Sequence, residues 1–581
     1  MPGHRSLLIL ITSLIAGSFV ISATETSVSI KPLQDTTYST NKEVIAKGQA
    51  LFTANCSACH NFIQKAIGPN LSGVTASQPV AWLKIFIHNA PQLIADKDPR
   101  AVALFNEYKV PMQPFTTFSD SDLNAVLAYM NTHRMKANLS VSAFGQVLKD
   151  PIPEKIPKAG IQLMLEEVLI APASAAKAPF ARINQMKTLP GKTNRLFIND
   201  LQGKLYEMTG DKLNEVMDLS KIRPNFINAP GLATGFGSFA FHPEFYKNGL
   251  MYTIHSEKAG SAKADFAYAD SIPVALQYIL TEWKIKDPNA DVFEGTPREM
   301  MRVNFVNSIH DMQEVAFNPH AKPGSPDYGL LYLSIGDGGA AEQHYYQLCI
   351  DYSGVWGKVL RIDPLGRNSK NGKYGIPAAN PFAKDTDPNT LSEVYAKGFR
   401  NPNRLAWPAD GKILVTDIGL RNAEEINILK PGGNYGWPER EGTFAVDHRV
   451  GSMDVVYQRP ANDAGRKDFI YPVAEFDHDE GNAISGGFVY TGSDPLLKGK
   501  YIFGEIVSGR VFCVDYAKLR IGHQEQIREL DIHLGAELST FKKNSKTTRV
   551  DLRFGMGPDH QYYIFTKNDG KIWRVKRAVK I

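Results

Sequence analysis

Two hydrophobic rhythms divide the chain. Between residues 41 and 135, apolar positions recur at helical spacing. Residues 43–52 open an amphipathic helix, and 79–88 set Val80, Trp82, Leu83, Phe86 and Ile87 on one face of a second. The cluster Ser119, Asp120, Ser121 and Asp122 caps a third helix, whose face is Leu123, Val126, Leu127, Tyr129 and Met130. From about residue 181 the rhythm changes. Glycine-bounded strand pairs recur six times, at 195–198 with 203–206, 238–243 with 249–254, 315–319 with 329–334, 405–408 with 411–415, 487–490 with 499–503, and 554–558 with 561–565. Short strands repeating with turn residues between them predict four-stranded blades set radially around a channel. The expected fold class is multi-domain: a small all-α domain at 41–135 followed by an all-β six-bladed β-propeller at 179–581. Residues 136–178, rich in proline, charge and small side chains, read as a linker between them. Within that stretch 161–170 could form a short strand or helix, but plain linker is the preferred reading.

Length and charge narrow the function. At 581 residues the chain is too long for one ordinary domain. Its formal net charge of +5 comes without a dense Lys/Arg run, which argues against a nucleic-acid partner. His4 and Arg5, an apolar run over 7–21 and the Ser22-Ala23 cleavage candidate predict an export signal at 1–23. The run is short for a membrane span, although an uncleaved anchor is the alternative. The expected location is a bacterial periplasm, with no integral membrane domain. Four cysteines are too few for a disulfide scaffold; Cys349 and Cys513 lie among apolar residues and read as core positions, though a bridge between them is possible.

The other two cysteines carry chemistry. Cys56-Ser57-Ala58-Cys59-His60 has the spacing that binds one covalent haem c, with both thiols added to its vinyl groups and His60 ligating iron. A zinc or redox CxxC is the competing reading, but zinc would want two further Cys or His ligands nearby. A low-spin electron-transfer iron takes a second axial ligand, and thioether sulfur raises its potential. Met112, stiffened by Pro111 and Pro114, is the candidate; Met130 is the weaker one, since it falls on a helix face. Residues 67–71 (IGPNL) could place a backbone carbonyl against the other imidazole nitrogen of His60. CxxCH, GPNL, a loop Met and a final helix, in that order, resemble a class I cytochrome c.

In the large domain the loops that break the repeat stand out: 307–311 with His310, 398–404 with Arg400 and Asn401, 416–427 running into 432–438, and 549–553 with Arg549 and Arg553. Arginine forks suit carboxylates, and loop carbonyls suit Ca²⁺. From spacing alone each of these is as readily structural. The longer matches are more specific. GFGSFAFHPEF at 235–245, GDGG at 336–339, GKVLRIDP at 357–364, GFRNP at 398–402, EEIN at 424–427, GGNYGWP at 432–438 and SGGFVY at 485–490 resemble the soluble PQQ-dependent sugar dehydrogenases of the glucose/sorbosone dehydrogenase family. That resemblance implies a six-bladed propeller holding pyrroloquinoline quinone (PQQ) and Ca²⁺. It implies His310 as the general base, Arg400 and Asn401 as quinone contacts with Arg400 also stabilising developing charge, and Arg549 or Arg553 on a cofactor carboxylate. It further implies the main-chain carbonyls of Gly419 and Leu420 as Ca²⁺ ligands. Three positions depart from the family: Ala233 stands where glucose-oxidising members carry Gln or Glu, Ile309 replaces the acid before the histidine, with Asp311 after it, and Leu420 replaces the Pro of the calcium loop, a change a carbonyl ligand tolerates. The expected function is a quinohaemoprotein dehydrogenase that oxidises a sugar or related alcohol and passes electrons through the haem to an external acceptor. A non-catalytic sugar-binding or redox-sensing propeller and a Ca²⁺-dependent lactonase are the alternatives, the latter wanting an acidic cluster that the loops do not display.

Overall fold

The computed structural model describes residues 38–62, 65–133, 142, 144–191, 194–231, 233–448, 453–465, 468–547 and 549–581. The export signal expected at 1–23 lies outside the described residues. The helical rhythm of the N-terminal region becomes α1 (Lys42–Asn55), α2 (Val74–Ser77), α3 (Val80–Ala95), α4 (Pro99–Tyr108) and α5 (Asp120–Asn131). α1 and α5 cross so closely that a Cβ on Gly48 would lie 1.9 Å from the Ala125 carbonyl oxygen, so only glycine fits there. Ser119 caps α5 as expected, in a capping box with Asp122. α3 runs further than its apolar spacing predicted, across a kink at Asn89. α4 was not anticipated, although Asp98 followed by Pro99 is a helix-start signal in the sequence. Phe52, Leu83, Ile87, Leu123, Val126 and Leu127 close the small core.

The remainder is all-β and is consistent with a propeller. Three separate four-stranded antiparallel sheets run in chain order. The first holds Phe236–Phe241, Leu250–Lys258, Leu276–Ile285 and Gly295–Phe305. The second holds Met312–Phe317, Leu331–Ile335, Lys358–Ile362 and Val394–Lys397. The third holds Pro402–Ala406, Leu414–Asp417, Ala423–Ile428 and Ala474–Asp477. The other long strands join a thirteen-stranded sheet that contains two parallel pairings.

One of those pairings corrects the expected linker. Within 136–178, Lys158–Ile170 is a thirteen-residue strand. It pairs antiparallel with the last strand, Lys571–Lys580, and parallel with Arg528–Leu534. Ile161, Leu163 and Leu165 alternate inward into the apolar core, a period-two pattern that the proline-rich flanks obscured. The small strand Val147–Leu148 also pairs, with Val456–Tyr457.

A further regularity positions the loops. The register slips between Ile183 and Gln185, Phe236 and Ser238, Met312 and Glu314, Pro402 and Arg404, and Ser485 and Phe488. Each slip falls in the strand that opens an antiparallel run of four. Such bulges re-aim the residues beside them; here those neighbours include His310, Arg400 and Asn401.

Candidate functional site

The first part of the site is a crevice in the helical domain. Cys56 ends α1, its N–H bonded to the Phe52 carbonyl at 2.8 Å. Cys59 and His60 N–H both return to the Cys56 carbonyl at 3.0 Å, a tight turn that gathers the motif. His60 Nδ1 lies 3.0 Å from the Pro69 carbonyl oxygen. A carbonyl can only accept, so Nδ1 carries the proton and Nε2 keeps its lone pair. The carbonyl expected from 67–71 is therefore Pro69's. Gly68 makes room for it, since a Cβ there would lie 2.3 Å from His60 Cε1. Met112, Cys56 and His60 line one apolar crevice with Leu71, Leu83 and Ile87. This donor set, with apolar walls and a lone-pair imidazole, fits a haem. Burial pushes the Cys56 thiol up to about 12 and the Cys59 thiol up to about 11, the reverse of a reactive redox CxxC. Among the described residues neither thiol belongs to a group able to share a metal ion.

The second part is the mouth of the sheet domain. His310 sits in the left-handed region (φ 54°), its carbonyl accepting from Gly338 N at 2.8 Å. The GDGG turn wraps it: Cβ atoms on Gly336 and Gly339 would meet the His310 carbonyl at 2.3 Å and Asn307 at 2.6 Å. Asp337 stands 3.5 Å from His310 Nδ1 and accepts from Gly339 N at 2.9 Å and Ala341 N at 3.2 Å. Burial would raise its carboxyl, yet His310 and Arg400 hold it below the usual range. The Arg400 guanidinium bonds the Glu342 carboxylate and the Gly419 carbonyl. Its loop is anchored by Asp417, which accepts from Arg400 N at 3.0 Å and Asn401 N at 2.6 Å and which burial drives up to about 8. Ligand atoms of His310, Asp337 and Glu342 all lie within 4.8 Å of one another. The structure thus gathers His310, Arg400, Asn401 and Gly419, and adds Asp337 and Glu342, which sequence reasoning missed although GDGG itself was noticed.

The C-terminal arginines separate. Arg549 binds Asp551 at 2.9 Å and lies near Cys59. Arg553 bonds Asn184 Oδ1 at 3.4 Å and the Leu552 carbonyl at 2.7 Å, and burial with Arg404 beside it lowers it to about 9. Asp311 does not take over from the missing acid at Ile309: it is fully buried, and neither carboxylate oxygen has a hydrogen-bond partner.

Several buried polar atoms beside His310 have no hydrogen-bond partner: Glu342 Oε2, His344 Nε2, Arg400 Nε, Asn401 Oδ1, and Arg421 Nε and Nη2. The unsatisfied donors of Arg400 and Arg421 suit an anionic group such as PQQ, while the Glu342 and Asn401 oxygens, which only accept, suit its N–H or O–H groups. Calcium on the Gly419 and Leu420 carbonyls fits less well. Arg400 already places a cation on the Gly419 oxygen; the Leu420 side chain packs into the apolar core, which does not bear on its carbonyl.

The two parts meet. Asn307 Nδ2 and Gln343 Nε2 both donate to the Ser57 carbonyl, at 2.7 and 2.8 Å. Ser57 lies inside CxxCH, Asn307 is three residues before His310, and Gln343 follows Glu342. Arg421 lies over the Tyr108 ring of α4, 6.0 Å from its centroid.

Comparison with known proteins agrees with both halves. A family model described as Glucose / Sorbosone dehydrogenase matches residues 180–535, and one described as Cytochrome c matches 45–134. The chain is 25% identical over 322 residues to HIPL1 protein of Arabidopsis thaliana, covering 48% of this chain and 44% of that protein. It is 27% identical over 233 residues to Quinoprotein glucose dehydrogenase B of Acinetobacter calcoaceticus, covering 38% and 43%. The chain spans about half the length of the curated relatives it matches. The solved PQQ-bound form of Aldose Sugar Dehydrogenase from Streptomyces coelicolor aligns with 72% of this chain and 98% of its own, at 18% identity and a TM-score of 0.46.

Proposed function

The chain belongs to the glucose/sorbosone dehydrogenase family and carries a cytochrome c domain ahead of it; from that premise we propose a periplasmic quinohaemoprotein dehydrogenase that oxidises a sugar or related alcohol. The observation that carries this reading is the seat of the haem-attachment turn on the loops bearing His310 and Glu342, through the Ser57 carbonyl. The large domain is read as a six-bladed propeller. Cutting the thirteen-stranded sheet at its two parallel pairings leaves three antiparallel runs of four, one of them carrying the extra short strand Glu537–Ser539, beside the three separate sheets described above. The opening strands of these runs neighbour one another in cyclic order, from Ile183–Thr188 through Leu552–Met556 and back.

His310 is the proposed base. Its Nδ1 faces Asp337, which orients the ring and stabilises the imidazolium, leaving Nε2 to take the substrate hydroxyl proton. Arg400, Asn401 and Arg549 would hold the quinone, with Arg421 beside them. Bound there, PQQ would supply a two-electron acceptor for the substrate's hydride, and the haem, held by Cys56, Cys59, His60 and Met112, a one-electron exit to an external acceptor. The covalent tether and the Ser57 contacts keep the two sites at high effective concentration. A Ca²⁺ ion on Gly419 would first have to displace Arg400. Periplasmic placement rests on the sequence of the leader; among the described residues no helix is long and apolar enough to cross a membrane.

A second reading, a non-catalytic sugar-binding or redox-sensing propeller, draws on Ala233, on Ile309 and on the inward burial of Asp311. One experiment divides them. The purified protein is reconstituted with PQQ and Ca²⁺, and the haem α-band is followed on adding aldoses and alcohols. Reduction by at least one supports the enzyme; a spectrum unmoved by all of them supports the second reading.

A further inference from the structure

Away from the mouth, one other place among the described residues brings acids close enough to share an ion. Asp150, Asp477 and Asp479 each offer a carboxylate oxygen, and the three atoms lie within 4.8 Å of one another. Asp150 comes from the stretch between the two domains, shortly after Val147–Leu148. Asp477 ends the strand Ala474–Asp477, and Asp479 follows two residues on.

Asp477 makes this more than a solvated acidic patch. It is 2% exposed. Its Oδ2 accepts from Ile152 N at 3.0 Å, while Oδ1 is buried with no hydrogen-bond partner. Ionised carboxylates only accept, so neighbouring oxygens of this kind repel unless a proton or a cation lies between them. Lys155 pairs with Asp479 and reaches Glu480 at 3.8 Å. Among the described residues, no ion pair is made to Asp477 or Asp150.

We propose that Asp150, Asp477 and Asp479 form a divalent-cation site that pins the interdomain stretch to the sheet domain, with Ca²⁺ as its ion. Three hard carboxylate oxygens suit calcium, whose bonds of about 2.3–2.6 Å let two ligands of one ion stand up to about 5 Å apart. Asp150 and Asp479 are exposed, so the ion has an entry path and water can complete its shell. Lys155 swings to solvent on binding. The pin lies just after the paired strand Val147–Leu148 and before Lys158–Ile170, so it adds to the anchorage of the interdomain stretch on the sheet domain.

The test is calorimetric titration of the full chain, first stripped with chelator, with Ca²⁺ and separately with Mg²⁺. Asp477→Asn keeps the shape of the buried residue, and Asp150→Asn changes only a surface position. Each variant is expected to bind one Ca²⁺ fewer than the unaltered protein, whatever binds at the mouth. Ca²⁺ should also slow tryptic cleavage at Lys149 and Lys155 several-fold in the unaltered protein alone. Equal stoichiometry in all three proteins overturns the site and leaves a proton shared among the acids; Mg²⁺ binding as tightly as Ca²⁺ overturns the choice of ion.

Discussion

The haem crevice and the mouth it touches are built on opposite principles. In the crevice the polar ring of His60 has its partner in the Pro69 carbonyl, and the walls are apolar. At the mouth Arg400, Asn401, His344 and Arg421 keep buried atoms unpaired. The crevice is a finished ligand set that asks only for a flat apolar guest. The mouth is a surplus of polar capacity, costly to bury and sensible only if a polar guest completes it.

The largest expected effect breaks the comparison on the crevice side. Replacing Cys56 and Cys59 together with Ala should abolish covalent haem, read as loss of haem stain on a denaturing gel. The mouth is left complete, so turnover with a soluble dye acceptor should persist. Loss of dye-linked turnover as well would mean that the two regions are one catalytic unit. The next effect lies on the mouth side. His310→Ala should cut dye-linked turnover by about 10²- to 10⁴-fold, the range of general-base contributions, with PQQ binding by fluorescence titration retained. Unchanged turnover would remove His310 from the chemistry.

These two regions also differ in how far the sequence discloses them. The crevice is local: Cys56, Cys59, His60 and Pro69 fall within fourteen residues, so spacing alone brings out the thiols, the imidazole and the carbonyl stretch beside it. The mouth is assembled from loops far apart in the chain. There, family resemblance located His310, Arg400 and Asn401, but Glu342, Gln343 and Arg421 carry no spacing signal. They become visible only when the second sheet and the cytochrome are set face to face. Alternation at Ile161, Leu163 and Leu165 was present in the sequence, but prolines on either side made a linker the natural reading. Arg549 and Arg553, four residues apart, went to different neighbours because a non-glycine left-handed residue, Asp551 (φ 57°), turns the chain between them.

A smaller effect sharpens the boundary between the two regions. Gln343→Ala removes one of two donors on the Ser57 carbonyl. One neutral hydrogen bond contributes about 1 kcal/mol net, which is about a fivefold change in the equilibrium constant for seating. Haem reduction by substrate in stopped flow should slow by up to about that factor, with dye-linked turnover unaltered. An unchanged haem rate would mean that the seat is not what connects the sites.

The smallest effect tests whether the crevice depends on the mouth for its stability. Ser119 Oγ accepts from Asp122 N at 3.2 Å and donates to Asp122 Oδ2 at 2.6 Å, while Ser119 N donates to the same oxygen at 3.0 Å. Lys47 of α1 pairs with Asp122 at 2.8 Å and so ties α1 to α5. Lys47 and Ser119 hold the Asp122 carboxyl down at about 2. A depressed carboxyl stabilises the fold above its unfolded value near 4, and that contribution is lost as pH falls through 2. Ser119→Ala should remove about 1 kcal/mol of capping. It should lower the thermal midpoint of the helical domain by a few degrees at pH 7, and flatten the loss of stability between pH 4 and 2. Haem attachment and the rate of haem reduction should stay as they were, because nothing on Ser57 or Pro69 has moved. A matching fall in the haem-reduction rate would mean instead that the helical domain holds its seat only while α5 is fully formed, and the crevice could no longer be treated as a region built independently of the mouth.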